Sequence, residues 1–250
     1  MTTREPGFRA LMYHEIVPDE GLPRTGRPVD VHQRYADLLP RRLFVTETAF
    51  RAQMELLRAE GATTIGLDDV RSFVEGRSSL PERAILLTFD DLYQSVRYRA
   101  LPVLRELGFR AVGFVVHDWV FPEAREQTDE LSRTLSWPEL HEMSDVFEYA
   151  HHSAGLHTRG EHGTAVERAP RDLLVQDTRR GTQRLDAPDV YAYPFGAYTD
   201  QTVEWLAESG ITLAFTTQPG YNTATTPPLA LHRDAVLCDT GVSEISAFLR

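Results

Sequence analysis

The chain contains one cysteine, Cys238, in 250 residues. It can therefore close no internal disulfide and build no cysteine-based zinc cluster, so any metal it holds must be bound through His, Asp or Glu. Positive charge is also scarce: 26 Lys and Arg face 37 Asp and Glu, for a formal net charge of -11 and a pI near 5.3. Nucleic acid and anionic lipid attract basic patches and are not expected as partners, whereas a neutral or cationic substrate fits. No apolar run approaches the roughly 18 residues of a membrane span. The opening MTTREPGFRALMYH has no apolar stretch of signal-peptide length behind a basic start. These absences predict a cytoplasmic protein with no membrane partner. Internal repeats and low-complexity tracts are missing too, and nothing in the composition specifies an oligomeric state.

What is present is a rhythm. With 42% hydrophobic residues the chain can bury the core of one domain over residues 1–250. Apolar, β-rich runs (FRALMY, AILLTF, RAVGFVV, VFEYA, VYAYP, TLAFTT) alternate with segments of helical period. One of these is TETAFRAQMELLRAEG, with Thr46 or Thr48 as cap, Phe50, Met54 and Leu57 on one face, and Gly61 as stop. That alternation predicts an α/β fold of parallel strands joined by crossover helices, and the strand count approaches that of a (β/α) barrel. Residues 18–42, rich in Pro, Arg and Asp without period, read as a long surface insertion.

In such folds the chemistry lies just after the strands. AILLTF is followed by Asp90 and Asp91, VFEYA by HHSAGLH (151–157), and VYAY by PFGAY (194–198). One Asp oxygen and two imidazole nitrogens make a workable catalytic zinc site with an open position. His152 and His157 stand five apart, which does not place them on one helical face, so they must lie on a loop that curls around the ion. A second carboxylate is then free to act as a base. Singly, each signal is weak. An aspartate pair also caps helices, the H-x4-H spacing recurs at His157 and His162 among nine histidines, and YPFG is an ordinary turn. In order, each at a strand end, they reinforce one another. Trp137, Trp205 and Phe109 fall at element spacing and read as core.

LLTFDDLYQSV, FEYAHHSAGLH, YAYPFGAY and the early LMYHEIV resemble the polysaccharide deacetylases, the NodB-homology group or carbohydrate esterase family four. The similarity runs through nearly the whole chain, and the H-S-x-x-L-H spacing looks like the branch with biofilm poly-N-acetylglucosamine deacetylases. The resemblance implies a distorted (β/α) barrel of the NodB type and a metal-dependent hydrolase that removes the acetyl group from an N-acetylated carbohydrate. It also implies a divalent metal, usually Zn2+, held by Asp91, His152 and His157, with Asp90 as general base and the Phe195 backbone N–H at the oxyanion.

This chain departs from the family at three places. Leu92 replaces the usual Gly after the aspartate pair, so a positive φ there would be strained. No Arg precedes the third-motif proline, and Arg233 is the candidate substitute that steadies the base. The late histidine that donates a proton to the leaving amine matches His232 in LALHRDAV; His14 in MYHEI is a second candidate and otherwise a buried core histidine. His151 reads as a neighbour of the site. Tyr93, Pro194, Tyr198 and Arg233 are candidate substrate contacts. Two other functions remain open: a deformylase or other amide or imide hydrolase on the same fold, and a silent carbohydrate-binding relative, against which the complete Asp90, Asp91, His152 and His157 set argues.

Overall fold

The six apolar runs become neighbouring parallel strands of one curled sheet. In a computed structural model, which describes residues 5–249, their spatial order is Leu213–Phe215, Ala187–Ala192, Phe147–His151, Ala111–Val115, Ala84–Asp90 and Gly7–Tyr13, with Asn222–Thr223 antiparallel at the far edge. The two edges are tied by one late segment. Leu231 pairs with Phe215 at one end, and Asp234–Ala235 pairs in parallel with Leu11 and Met12 at the other. The sheet is thereby drawn into a curled, distorted barrel, as the family resemblance implies.

Strand periodicity sorts the side chains into two layers. Ala84 and Leu86 join Phe8, Val112, Phe114, Phe215 and Leu231 inside the curl. Ile85, Leu87 and Phe89 face outwards and pack beneath Phe50, Met54, Leu57, Leu104 and Leu140 of the crossover helices. The strand Ala84–Asp90 is buried along its whole length, as expected where both faces are covered. By the same alternation Thr88 and Asp90 point into the barrel. Thr46 is the cap of the helix Glu47–Ala59, its side chain accepting from the Ala49 N–H at 3.3 Å. Among the described residues no helix is long and apolar enough to cross a membrane.

The segment 18–42 is more structured than its composition predicts. Gly26–Asp30 pairs antiparallel with Leu38–Pro40 and parallel with Ser132–Arg133. Buried Arg27 anchors it, donating to Glu15 at 3.1 Å and to the Gly21 carbonyl at 3.0 Å. The small sheet forms a wall over the carboxyl ends of the barrel strands, where Val29, Asp37, Leu38, Leu39 and Pro40 line a cavity.

Candidate active site

Three strand ends meet beneath that wall. Each leaves its strand through residues in the left-handed region: Asp91 and Leu92 at φ 65° and 55°, Ser153 at 71°, and Phe195 at 58°. Backbone strain of this kind persists only where the surroundings over-determine it. Leu92 adopts the positive φ despite its side chain because three contacts hold it there. Its N–H donates to the Asp90 carbonyl at 2.7 Å, its carbonyl accepts from the Leu135 N–H at 2.9 Å, and its methyls fill the space over Gly113, where a Cβ would lie 2.8 Å from Leu92 Cδ1. Gly196 follows Phe195 at φ 70°, and a Cβ there would collide with Thr217 Oγ1 at 2.0 Å.

The two aspartates have different partners. Asp90 sits against Arg233, whose Nη1 and Nη2 donate to Oδ1 and Oδ2 at 2.6 and 3.0 Å. Arg233 is fully buried; its Nε donates to the Thr216 carbonyl at 2.9 Å and its guanidinium lies 5.1 Å from the centre of the Phe114 ring. Burial pushes the Asp90 carboxyl up, but Arg233, His152 and His14 outweigh it and hold the group well below the usual carboxylate range. Asp91 has no such cation. Its Oδ2 accepts from the Tyr93 hydroxyl at 2.9 Å, while Oδ1 is buried with no hydrogen-bond partner. Burial raises its pKa, opposed by His152 and His14.

The orphan oxygen faces two imidazoles. His157 Nε2 is 3.4 Å and His152 Nε2 3.9 Å from Asp91 Oδ1. His152 Nδ1 lies 2.7 Å from the Ala192 carbonyl, which can only accept, so that nitrogen carries the proton and Nε2 presents its lone pair. Burial lowers His152 to about 4 and His157 to about 3, so both rings are neutral at neutral pH. Three buried donor atoms, one from each of Asp91, His152 and His157, lie within 4.8 Å of one another. A neutral His pair beside an unpaired carboxylate oxygen fits a divalent cation.

The other candidates divide. Asp90, Asp91, Tyr93, His152, His157, Phe195 and His14 line one cavity of about 350 Å³. Phe195 packs against His157 with ring centres 4.3 Å apart and the planes tilted by 41°, and the Arg159 guanidinium lies 5.1 Å from its ring centre. Arg233 stands behind Asp90 rather than in the cavity wall. His232 does not line the cavity: its ring packs on Gly220, and its backbone is clamped by Asn222 at 2.8 and 3.0 Å. Neighbours in an extended segment point to opposite sides, so delivering Arg233 to Asp90 sends His232 away. Tyr198 stacks on Tyr193 at 4.4 Å outside the cavity, and buried Pro194 shapes the turn that carries Phe195. His151 is fully buried, with Nε2 3.0 Å from the Thr178 carbonyl. Sequence reading overlooked Trp119, Asp37 and Arg159, which also line the cavity. Trp119 lies edge-on to His157 at 4.5 Å and follows the strand Ala111–Val115, so extending the strand-end rule to that strand would have found it. Arg159 is held by Asp37 at 2.7 and 3.0 Å, a pair across 122 positions that no spacing announces.

A family model described as polysaccharide deacetylase matches residues 77–214, which include both aspartates, both histidines and the Phe195 turn. The chain belongs to the polysaccharide deacetylase family. The chain is 28% identical over 249 residues to the poly-beta-1,6-N-acetyl-D-glucosamine N-deacetylase of Escherichia coli, a match covering 86% of this chain and 34% of that protein. It is 24% identical over 189 residues to the Staphylococcus epidermidis protein of the same name, covering 70% of this chain and 61% of the relative. The chain thus spans only about a third of the length of the Escherichia coli relative. Among solved structures it superimposes on IcaB from Ammonifex degensii with a TM-score of 0.74 at 25% identity, covering 98% and 97% of the two chains. It also matches the Streptococcus pyogenes deacetylase PplD in complex with acetate, with a TM-score of 0.77 at 20% identity over 98% and 99%. The latter likeness is one of fold.

Proposed function

We propose that the protein is a zinc-dependent N-deacetylase that hydrolyses the acetamide of a β-1,6-linked N-acetylglucosamine polymer or oligomer. The observation that carries the reading is the convergence of Asp91, His152 and His157 on one point, with Asp90 beside them and locked to Arg233. The names of the relatives supply the substrate class. Asp91, His152 and His157 would hold the ion, which polarises an acyl carbonyl and acidifies water.

The protein's own groups do the rest. Asp90 takes the proton of the attacking water: its two oxygens each accept one Arg233 N–H and keep a further lone pair for that proton, and the pairing fixes the carboxylate in one orientation. The Gly196 and Ala197 N–H groups are consumed within their own turn at 2.8 and 3.1 Å, which supports the Phe195 N–H as the donor toward the developing oxyanion. His14 is the group that protonates the departing amine. It follows the strand Gly7–Tyr13 and lines the cavity, whereas His232 lies outside the cavity and faces Gly220. Tyr93 holds Asp91 by its hydroxyl and forms part of the wall. A carbohydrate-binding protein without catalysis would have no use for a buried, cation-steadied carboxylate next to the metal donors.

The test is metal-dependent acetate release from a β-1,6-linked N-acetylglucosamine oligomer. Chelation should abolish release, and one equivalent of Zn2+ should restore it. Release that continues unchanged in the metal-stripped protein would overturn the reading.

A further inference from the structure

A buried carboxylate in the middle of a helix needs a reason. Asp177 lies inside the helix Arg171–Gly181, only 5% exposed, and both oxygens accept backbone N–H groups from outside that helix. Oδ2 accepts the Ala154 N–H at 2.8 Å and Oδ1 the Gly155 N–H at 2.7 Å. These residues lie in the short loop between His152 and His157. The carbonyls of the same loop are held from the opposite side: Ser153 O by the His117 N–H at 3.2 Å, Ala154 O by the Asp118 N–H at 2.9 Å, and Gly155 O by Gln33 Nε2 at 3.1 Å. Gly155 is pressed against this frame so closely that a Cβ would lie 2.6 Å from Asp118 Oδ2. Arg180, with Nη2 3.4 Å from Asp177 Oδ1 and Nη1 donating to both Asp118 oxygens at 2.9 and 2.7 Å, joins the two sides.

We propose that Asp177 is a positioning residue for the metal centre, fixing by its two charge-assisted hydrogen bonds the loop that sets the separation of the His152 and His157 donor nitrogens. The loop passes through the left-handed Ser153 and would otherwise be free to relax; ordering it in advance removes an entropy cost from metal binding. The inference rests on the metal-site reading above.

The experiment measures the Zn2+ dissociation constant by competition with a chromophoric chelator, and the visible spectrum of the Co2+-loaded protein, for the parent, Asp177→Asn, Asp177→Ala and Leu174→Ala. Outer partners of metal ligands typically contribute about 10- to 100-fold in affinity. Asp177→Asn, which keeps one acceptor, should weaken Zn2+ by about 10-fold and Asp177→Ala by up to about 100-fold, with an altered Co2+ spectrum in both. Leu174→Ala removes a fully buried side chain from the same helix; it should lower thermal stability and leave affinity and spectrum unchanged. A parent that binds neither ion defeats the metal-site reading itself. A parent that binds, with both Asp177 variants binding equally well or with Leu174→Ala weakened as much as Asp177→Ala, overturns this inference alone.

Discussion

Arg233→Ala tests how the chain steadies its base without an Arg in the third motif. The substitution removes the guanidinium paired with Asp90 and leaves a carboxylate 3% exposed, with the neutral His152 ring beside it, Nε2 at 3.8 Å. Breaking a buried pair by deleting one partner typically costs about 3–5 kcal/mol, because the remaining charge is uncompensated. The protein can limit that cost by protonating Asp90. At 1.36 kcal/mol per pH unit, about 3 kcal/mol corresponds to a rise of about 2 units in the Asp90 pKa. The acid limb of the pH–rate profile should therefore move to higher pH by about that amount. The stability sign follows from linkage. Arg233 depresses the folded-state pKa of Asp90 below its unfolded value, so the stability it contributes is present above the ordinary carboxylate pKa of about 3.9 and is lost as pH falls through the folded value. Urea unfolding should thus show the gap between parent and variant narrowing in acid. Arg233→Lys, which keeps the charge and loses the fork, should fall between the two. An acid limb that does not move in a folded, metal-loaded Arg233→Ala protein would refute the pairing's role.

Leu92→Gly restores the residue usual in the family, and two effects oppose. Relief of the positive φ gains about 1–2 kcal/mol, but truncating a side chain only 1% exposed loses about 2–5 kcal/mol or more. Net destabilisation in urea is expected, and a more stable variant would show that strain, not packing, dominates the turn. His14→Ala should slow hydrolysis of an N-acetyl sugar far more than that of an activated acetyl ester, whose leaving group needs no proton, while His232→Ala should leave that ratio near the parent's. The reverse pattern would return the donor to His232.

Much of this site was legible because strand ends in a parallel sheet are where the chemistry collects. Asp90, Asp91, His152, His157 and the Phe195 turn each follow an apolar run, and the structure gathers them in one cavity. What sequence could not reveal was side. LALHRDAV is read equally well in either phase, and a one-residue shift decides whether His232 or Arg233 enters the barrel. Parity with Leu231, which packs inside with Phe8 and Leu86, points to Arg233 once the closure of the sheet is known. The roof was illegible for another reason. Residues 18–42 have no period because their strands are short and pair with Ser132–Arg133, far away in sequence, and their anchors, Arg27 on Glu15 and Asp37 on Arg159, are single contacts without repeat. The helices Leu67–Val74 and Val242–Phe248 were passed over because each is too short for a sustained pattern.

Asp90→Asn loaded with Zn2+ separates a base at Asp90 from a metal ligand at Asp91. Bound metal is counted by elemental analysis and acetate release is followed from a β-1,6-linked N-acetylglucosamine oligomer. The metal content should equal the parent's and the rate should fall about 10²- to 10⁴-fold, the usual cost of losing a general base. Loss of the metal, or release at the parent's rate with the metal retained, would contradict that assignment of roles.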